Sequence, residues 1–360
     1  MKELFLDANA HLPMSHHVMD FYHKFNDSIA GHGHPLSPSA TGRAAQNAIE
    51  EARSKIAKLI NAKDPNQIVF TSGCTQACEW GAQLLAHMVR MSGDDEVFIS
   101  PIEHPAINTA VDAAFDSVLI KKLKVNSDGE VLFESAKNIV CIHMQNEIGT
   151  IQNINSTNDN YIFTDMSQSL GKIKVDISKL NPDIAVFGAH KFGGPGGVGF
   201  MYLSDSSVWR EFGVGSRYFR DISGTPNTAG IASSAVALEE AINTFDERYA
   251  NMIEFRDVLE PELKTLGFDI IGENANRCPN TTYAKTPKDG DAFRLLNLLG
   301  NDGIYCGLGS ACGSLYSGGS PLMEALGRPS DGQDYLRISH WGEYRSHDVE
   351  YFINKLRKIL

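Results

Sequence analysis

The chain has 360 residues, 42% of them hydrophobic and 21% charged, an ordinary globular balance with enough length for one large domain and a smaller one. Its net charge of −12 argues against broad, non-specific binding to nucleic acid or anionic membranes. The opening residues MKELFLDANA lack the apolar run of a signal peptide, and no stretch approaches the ~18 apolar residues of a membrane span, so a cytoplasmic protein is expected.

Taken in chain order, His16-His17 and His32-Gly33-His34 lie in polar segments that read as solvated loops, with metal binding as the alternative. Apolar residues three to four apart predict a helix over Arg43–Ile60. A strand at Gln67–Phe70 is followed by Thr71-Ser72-Gly73-Cys74-Thr75, which opens a helix from about Gln76 to Met91. Glu96–Ser100 reads as a strand and Pro105–Phe115 as a helix. Further strands are expected at Ser117–Ile120, Ile139–Met144, Tyr161–Thr164, Ile184–Phe187 and Gly199–Tyr202. Strands alternating with helices predict a mainly parallel sheet covered on both faces. Past Ile231 come two long helical stretches, Ile231–Phe245 and Tyr249–Leu266. Strands near Phe268–Ile271 and Thr281–Ala284 and helices near Ala292–Leu299, Ser320–Leu326 and His347–Leu360 complete a smaller α+β unit. The division expected is a large domain over 15–245, with 1–14 and 246–360 forming the small one.

In an open α/β sheet, ligands bind beyond the carboxyl ends of the strands. His104, Asn146, Asp165, His190 and Lys191 all follow or end predicted strands, so a parallel sheet brings them to one mouth. Taken singly, each is equally well a loop or capping residue. Lys191 stands where a buried strand gives way to a run with five glycines among positions 192–199. Packing gives a lysine little reason to be there, whereas an amine that forms an imine with an aldehyde cofactor belongs there, which points to pyridoxal phosphate. Asp165 suits the protonated pyridine nitrogen of that cofactor, and His104 suits its ring face. The residues 71–75 place backbone N–H groups and hydroxyls at a helix N-terminus, where a phosphate binds well.

Six cysteines are scattered along the chain, as in a reduced protein without a disulfide framework; Cys74 and Cys78 lack a second ligand pair, so no metal site is expected. Cys141 lies in the apolar run NIVCIHM and reads as structural. Cys312, among glycines 307, 309, 313, 318 and 319, reads as a reactive thiol on a mobile loop. Arg337 in Tyr335-Leu336-Arg337-Ile338-Ser339 suits a substrate carboxylate, and a structural salt bridge equally.

The ordered set resembles a known family nearly end to end. Asp183-x4-Gly188-Ala189-His190-Lys191-x5-Gly197-x-Gly199 is similar to the pyridoxal phosphate lysine motif of class V aminotransferases. Phe5-Leu6-Asp7-Ala8-Asn9-Ala10, Val69–Thr75, Glu103-His104, Asn146-Glu147-Ile148-Gly149, Asp165–Ser169 and Ser223-Gly224-Thr225 follow in the family's order. Gly309-Ser310-Ala311-Cys312 resembles the catalytic-cysteine loop of NifS-like cysteine desulfurases. The resemblance implies a fold type I, pyridoxal phosphate-dependent transferase-like α/β protein with a mainly parallel seven-stranded sheet.

By position, it implies Lys191 as the Schiff-base lysine, His104 as stacking acid/base and Asp165 as the pyridine-nitrogen partner. Gln168 and Asn146 would contact the phenolate oxygen or the substrate. Thr75, beside Cys74, and His190 would bind phosphate, Thr225 would reach the phosphate of the other subunit in a homodimer, Arg337 would hold the substrate carboxylate, and Cys312 would attack sulfur. The activity implied is conversion of L-cysteine to L-alanine with a persulfide left on Cys312 for an acceptor protein. Selenocysteine lyase, cysteine sulfinate desulfinase or another class V activity are alternatives, as is a weakly catalytic scaffold of a sulfur-transfer complex. The chain departs from the family pattern at His11-Leu12, at Gly188 where a phosphate-binding serine is usual, and at Ile222.

Overall fold

The computed structural model describes residues 2–133, 136–154, 161–212, 225–288, 291–309, 320–328 and 334–360. Cys312, Ile222 and the pair Ser223-Gly224 lie outside the described residues.

In chain order, β1 (Leu4–Phe5) leads into α1 (His16–Asn26) and α2 (Ala40–Leu59), then β2 (Ile68–Thr71) and α3 (Cys74–Met91). β3 (Val97–Ile99), α4 (Pro105–Ala114), β4 (Ile120–Lys122) and the small pair β5 (Lys124–Val125) and β6 (Val131–Leu132) follow. Next come β7 (Ile139–Val140), β8 (Ile162–Asp165), α5 (Ile177–Leu180), β9 (Ile184–Gly188), β10 (Gly199–Leu203) and α6 (Ser206–Phe212). The remainder runs α7 (Thr228–Asn243), α8 (Phe245–Thr265), β11 (Asp269–Ile270), β12 (Thr281–Lys285), α9 (Ala292–Asn301), β13 (Ile304–Tyr305), α10 (Pro321–Ala325), β14 (Tyr335–Ser339) and α11 (Ser346–Ile359).

Seven strands form the large sheet in the order β2-β10-β9-β8-β7-β3-β4. β3, β4, β7, β8 and β9 pair in parallel, and β10 runs antiparallel between β2 and β9. The β9–β10 link is too short for a crossover helix, so the chain returns directly and β10 is reversed. The other six strands point the same way, which puts the ends of β2, β3, β7, β8 and β9 on one edge.

Each face of the sheet is covered by its own apolar cluster. One joins Ile49, Ile56, Phe70, Phe187, Phe200 and Leu238 to α2 and α7; the other joins Val69, Leu85, Ile107, Phe163, Ile184 and Met201 to α3 and α4. A third cluster gathers Leu4, Leu6, Phe255, Leu299, Ile304, Leu336 and Phe352 around the sheet β11-β12-β14 and the pair β1-β13. A fourth draws on both halves of the chain, from Ile102 and Ile148 to Tyr283 and Tyr335.

The expected solvated loop at His16-His17 is instead the start of α1, capped by Ser15, whose hydroxyl accepts the Val18 N–H at 3.2 Å. Val18 buries against the first cluster, and that single apolar anchor outweighs the polar composition around it. Strand Ile139–Met144 is shorter than expected and ends at Val140; beyond it the Cys141 and His143 N–H groups still donate to the Phe163 and Asp165 carbonyls, at 3.0 and 2.9 Å, while the His143 carbonyl accepts the Gln152 N–H at 2.8 Å.

α3 lies close to the sheet because Gly81 faces it. A Cβ at Gly81 would come within 2.8 Å of Phe163 Cζ and 3.3 Å of Ile184 Cγ2. Gly81→Ala is therefore expected to lower stability by about 1 kcal/mol, the overpacking of 1–3 kcal/mol being partly offset by the better helix propensity of alanine. A thermal midpoint a few degrees below wild type checks this.

Candidate active site

The edge formed by the strand ends carries the titratable residues expected there. Asp165 is the last residue of β8, buried, and its Oδ1 accepts the Ser167 N–H at 2.8 Å. Among the described residues its Oδ2 has no hydrogen-bond partner. His104 caps α4: Nδ1 accepts the Ala106 N–H at 3.1 Å, so in the neutral ring the proton sits on Nε2. Burial lowers the His104 pKa; Asp165 opposes that shift and Lys191 adds to it. The imidazole is therefore neutral at pH 7.

Lys191 closes the single 3-10 turn Ala189–Lys191 that follows β9. Its Nζ donates to the backbone carbonyls of Asn9 at 2.8 Å and Ala10 at 2.7 Å. His190 stacks on His11 with ring centroids 5.5 Å apart. Burial, then the charge of Lys191, pushes the His190 pKa down to about 3, so this ring is neutral throughout the physiological range. Gly188, the family's serine position, lies against the same ring: a Cβ there would meet His190 Cε1 at 3.1 Å and Cys74 Cβ at 3.3 Å. Cys74 and His190 fill the space that a side chain at 188 would take.

Cys74 begins α3, and its Sγ lies 2.9 Å from Ser167 Oγ and 3.8 Å from Cys78 Sγ. The N-cap Gly73 offers no side chain, so the first N–H groups of α3 have no side-chain cap. Thr75, in that first turn, is exposed, as is Thr225 just ahead of α7. Asn146 is buried; its carbonyl accepts from Asn9 Nδ2 and from Arg337 Nη1, each at 3.2 Å. Gln168 is buried too, its amide Nε2 donating to the Asn9 carbonyl at 2.9 Å.

Arg337, in β14, is held by Asp7: Nη2 lies 2.6 Å from Asp7 Oδ1. Its Nε is buried without a partner. Arg337 thus stands as a buried ion pair with Asp7, its Nη1 also donating to the Asn146 carbonyl.

Four residues near this edge were given no role by the sequence reading. Asn9 and Lys172 hold one another at the centre of a hydrogen-bond network. Glu103 is fully buried; its Oε1 accepts the Ile142 N–H at 2.5 Å while Oε2 has no partner, and burial with the Asp165 charge pushes its pKa up to about 8. Glu147 is buried beside Tyr283 and Arg337, and burial raises its pKa. Their sequence signals were slight: Asn9, Glu103 and Glu147 stood in recognised motifs without a role, and Lys172 lies in the turns that follow β8, where nothing in the sequence marks it as buried.

Residues 4–352 match the family model for aminotransferase class V. The chain is 30% identical over 382 residues to a protein of Dictyoglomus turgidum named cysteine desulfurase IscS, covering 100% of this chain and 95% of that one. It is 30% identical over 349 residues to a cysteine desulfurase of Sinorhizobium fredii, covering 91% of this chain and 89% of the relative. A solved structure titled NifS-like protein superposes with a TM-score of 0.85 at 28% identity, covering 99% of both chains.

Such enzymes depend on pyridoxal phosphate, and the donor set here fits that group. Lys191 could supply the amine for its aldehyde, and Asp165 an unspent carboxylate oxygen for its ring nitrogen. The uncapped first turn of α3 could offer N–H groups to its phosphate. Among the described residues no helix is long and apolar enough to cross a membrane.

Proposed function

The chain belongs to the class V aminotransferase family, and from that premise we propose that it is a pyridoxal phosphate-dependent cysteine desulfurase, removing sulfur from L-cysteine and releasing L-alanine. The observation that carries this reading is the shared edge. Lys191, Asp165 and His104 end or follow three strands of one sheet, in a chain whose near-full-length relatives are named cysteine desulfurases.

When bound, the cofactor supplies an electron sink for charge that develops at the substrate's α-carbon. Asp165 favours the protonated ring nitrogen that makes this sink effective. Lys191 would hold the cofactor's aldehyde through Nζ, and the same Nζ would move the substrate's α-proton. His104, neutral and with its Nδ1 already engaged, holds the ring face and handles a proton at Nε2. Arg337 would bind the substrate carboxylate through N–H groups that neither Asp7 nor the Asn146 carbonyl holds. Gln168 and Asn146 orient the cofactor's phenolate oxygen and the substrate, and Cys74, Thr75 and His190 complete the phosphate cup. Cys312 attacks the substrate sulfur: the S–S bond forms, the substrate C–S bond breaks with its electron pair staying on carbon, and protonation there gives alanine. The products are alanine and the Cys312 persulfide.

This reading includes a homodimer in which Thr225 of each protomer reaches the phosphate of the neighbouring site. It also includes a cytoplasmic setting and a protein acceptor for the persulfide sulfur. It treats 15–245 as the cofactor-binding domain and 1–14 with 246–360 as the domain that presents Cys312. The test is to incubate the protein with pyridoxal phosphate, a reductant and L-cysteine. Alanine and sulfide in equal amounts support the reading. Faster, Cys312-independent alanine release from selenocysteine or cysteine sulfinate would replace it.

Arg337→Lys is expected to raise KM for cysteine about tenfold while changing kcat less, because a single ammonium cannot hold Asp7 and the Asn146 carbonyl and still direct an N–H at a carboxylate. Steady-state kinetics on cysteine check the split, and an unchanged KM would remove Arg337 from the substrate site.

A further inference from the structure

Lys172 is a buried amine near the part-buried Lys191, and the reaction described above does not use it. It is 0% exposed, and burial followed by the charge of Lys191 lowers its pKa well below the usual lysine range. Arg337 and Arg248 add to that lowering and Cys278 opposes it. A lysine without partners there would be costly. It has two: Nζ donates to Asn9 Oδ1 at 3.0 Å and to Gln168 Oε1.

Both contacts lead to Lys191. The Asn9 carbonyl accepts from Gln168 Nε2 at 2.9 Å and from Lys191 Nζ at 2.8 Å. The Asn9 side chain is fixed on every polar atom: Oδ1 also accepts from Asn280 Nδ2 at 3.0 Å, and Nδ2 donates to Thr281 Oγ1 at 2.8 Å and the Asn146 carbonyl at 3.2 Å. The segment that receives the Lys191 amine is therefore tethered by the network around Asn9.

Gln168 adds a second argument. As an ammonium Lys172 only donates, so it faces the amide oxygen, and the amide nitrogen then faces the Asn9 carbonyl. Without Lys172 the amide loses the donor to its oxygen and is oriented by the Asn9 carbonyl alone.

We propose that Lys172 is a positioning residue for Lys191: it holds Asn9 and fixes the polarity of the Gln168 amide, so that the Asn9 and Ala10 carbonyls stay aimed at the Lys191 amine. The proposal rests on the reading of Lys191 as the cofactor lysine. It accounts for a fully buried lysine whose length apolar residues could match but whose donors they could not.

The experiment is reconstitution of cofactor-free protein with pyridoxal phosphate, quenched at intervals with borohydride and followed by peptide mass for the adduct on Lys191. Lys172→Met is expected to slow adduct formation about tenfold, and Asn9→Ala likewise, with the double variant no slower than the slower single because both act through one network. Gly81→Ala, destabilised elsewhere, controls for a general loss of stability and is expected to react at the wild-type rate. Lys172→Met within twofold of wild type, additive effects in the double variant, or an equally slow Gly81→Ala would each overturn the proposal. If Lys172→Met does not fold, Asn9→Ala carries the test: a rate within twofold of wild type overturns it. Wild-type protein without an adduct on Lys191 would overturn the underlying site reading and this proposal with it. A wild-type adduct with an unslowed Lys172→Met overturns this proposal alone.

Discussion

Replacing Lys191 with alanine is expected to abolish covalent retention of pyridoxal phosphate and to lower turnover of cysteine by at least ~10³-fold. The amine has no substitute at its position. The other lysine in the site, Lys172, is committed to Asn9 and Gln168 and cannot reach the same carbonyls without breaking both bonds. The cofactor's other anchors, the α3 N-terminus and Asp165, remain in the variant. Weak non-covalent uptake therefore persists while the borohydride-fixed adduct is lost. A Lys191→Ala protein that still gave a borohydride-fixed adduct at a different lysine would show that the strand-end lysine was misassigned. The fold is expected to survive, since Lys191 is only part-buried and contributes no core packing.

Cys312→Ala is expected to separate cofactor chemistry from sulfur transfer. Cofactor uptake and the Lys191 adduct should match wild type, because the residues proposed to hold the cofactor, among them Lys191, Asp165, His104 and the first turn of α3, follow strands of the large sheet. Alanine production with reductant present should fall at least ~10²-fold, since the nucleophile that takes the sulfur is gone. The remaining cysteines are poor replacements. Cys141, Cys278 and Cys306 are buried, and burial holds each thiol well above its usual pKa, so none offers a thiolate at pH 7. Cys74 is half-buried against Ser167 and Cys78. Undiminished alanine release in Cys312→Ala would remove the persulfide step.

The parts of the site that the sequence made legible are those with a local signature. Lys191 interrupts a switch from apolar strand to glycine loop, and Asp165 ends an apolar run. His104 precedes Pro105 at a helix start, where its ring accepts a backbone N–H in the structure as an N-cap does. The parallel sheet followed from alternation alone, and it brought these residues to one edge. Asn9 and Lys172 were not legible for a physical reason. They act through contacts 163 residues apart in sequence, and a buried lysine looks like a surface one until its neighbours are known. The Asp7–Arg337 pair, separated by 330 residues, was hidden in the same way. α1 was missed because its polar exposed faces dominate the composition while one buried valine anchors it.

A single-turnover measurement tests the central claim most directly. The cofactor-loaded protein is mixed with L-cysteine without reductant, and alanine is quantified alongside the mass of the peptide containing Cys312. The account predicts about one alanine per protomer and a matching gain of one sulfur atom on that peptide, with both absent in Lys191→Ala. Alanine formed with no sulfur on Cys312, or sulfur gained without alanine, would contradict it.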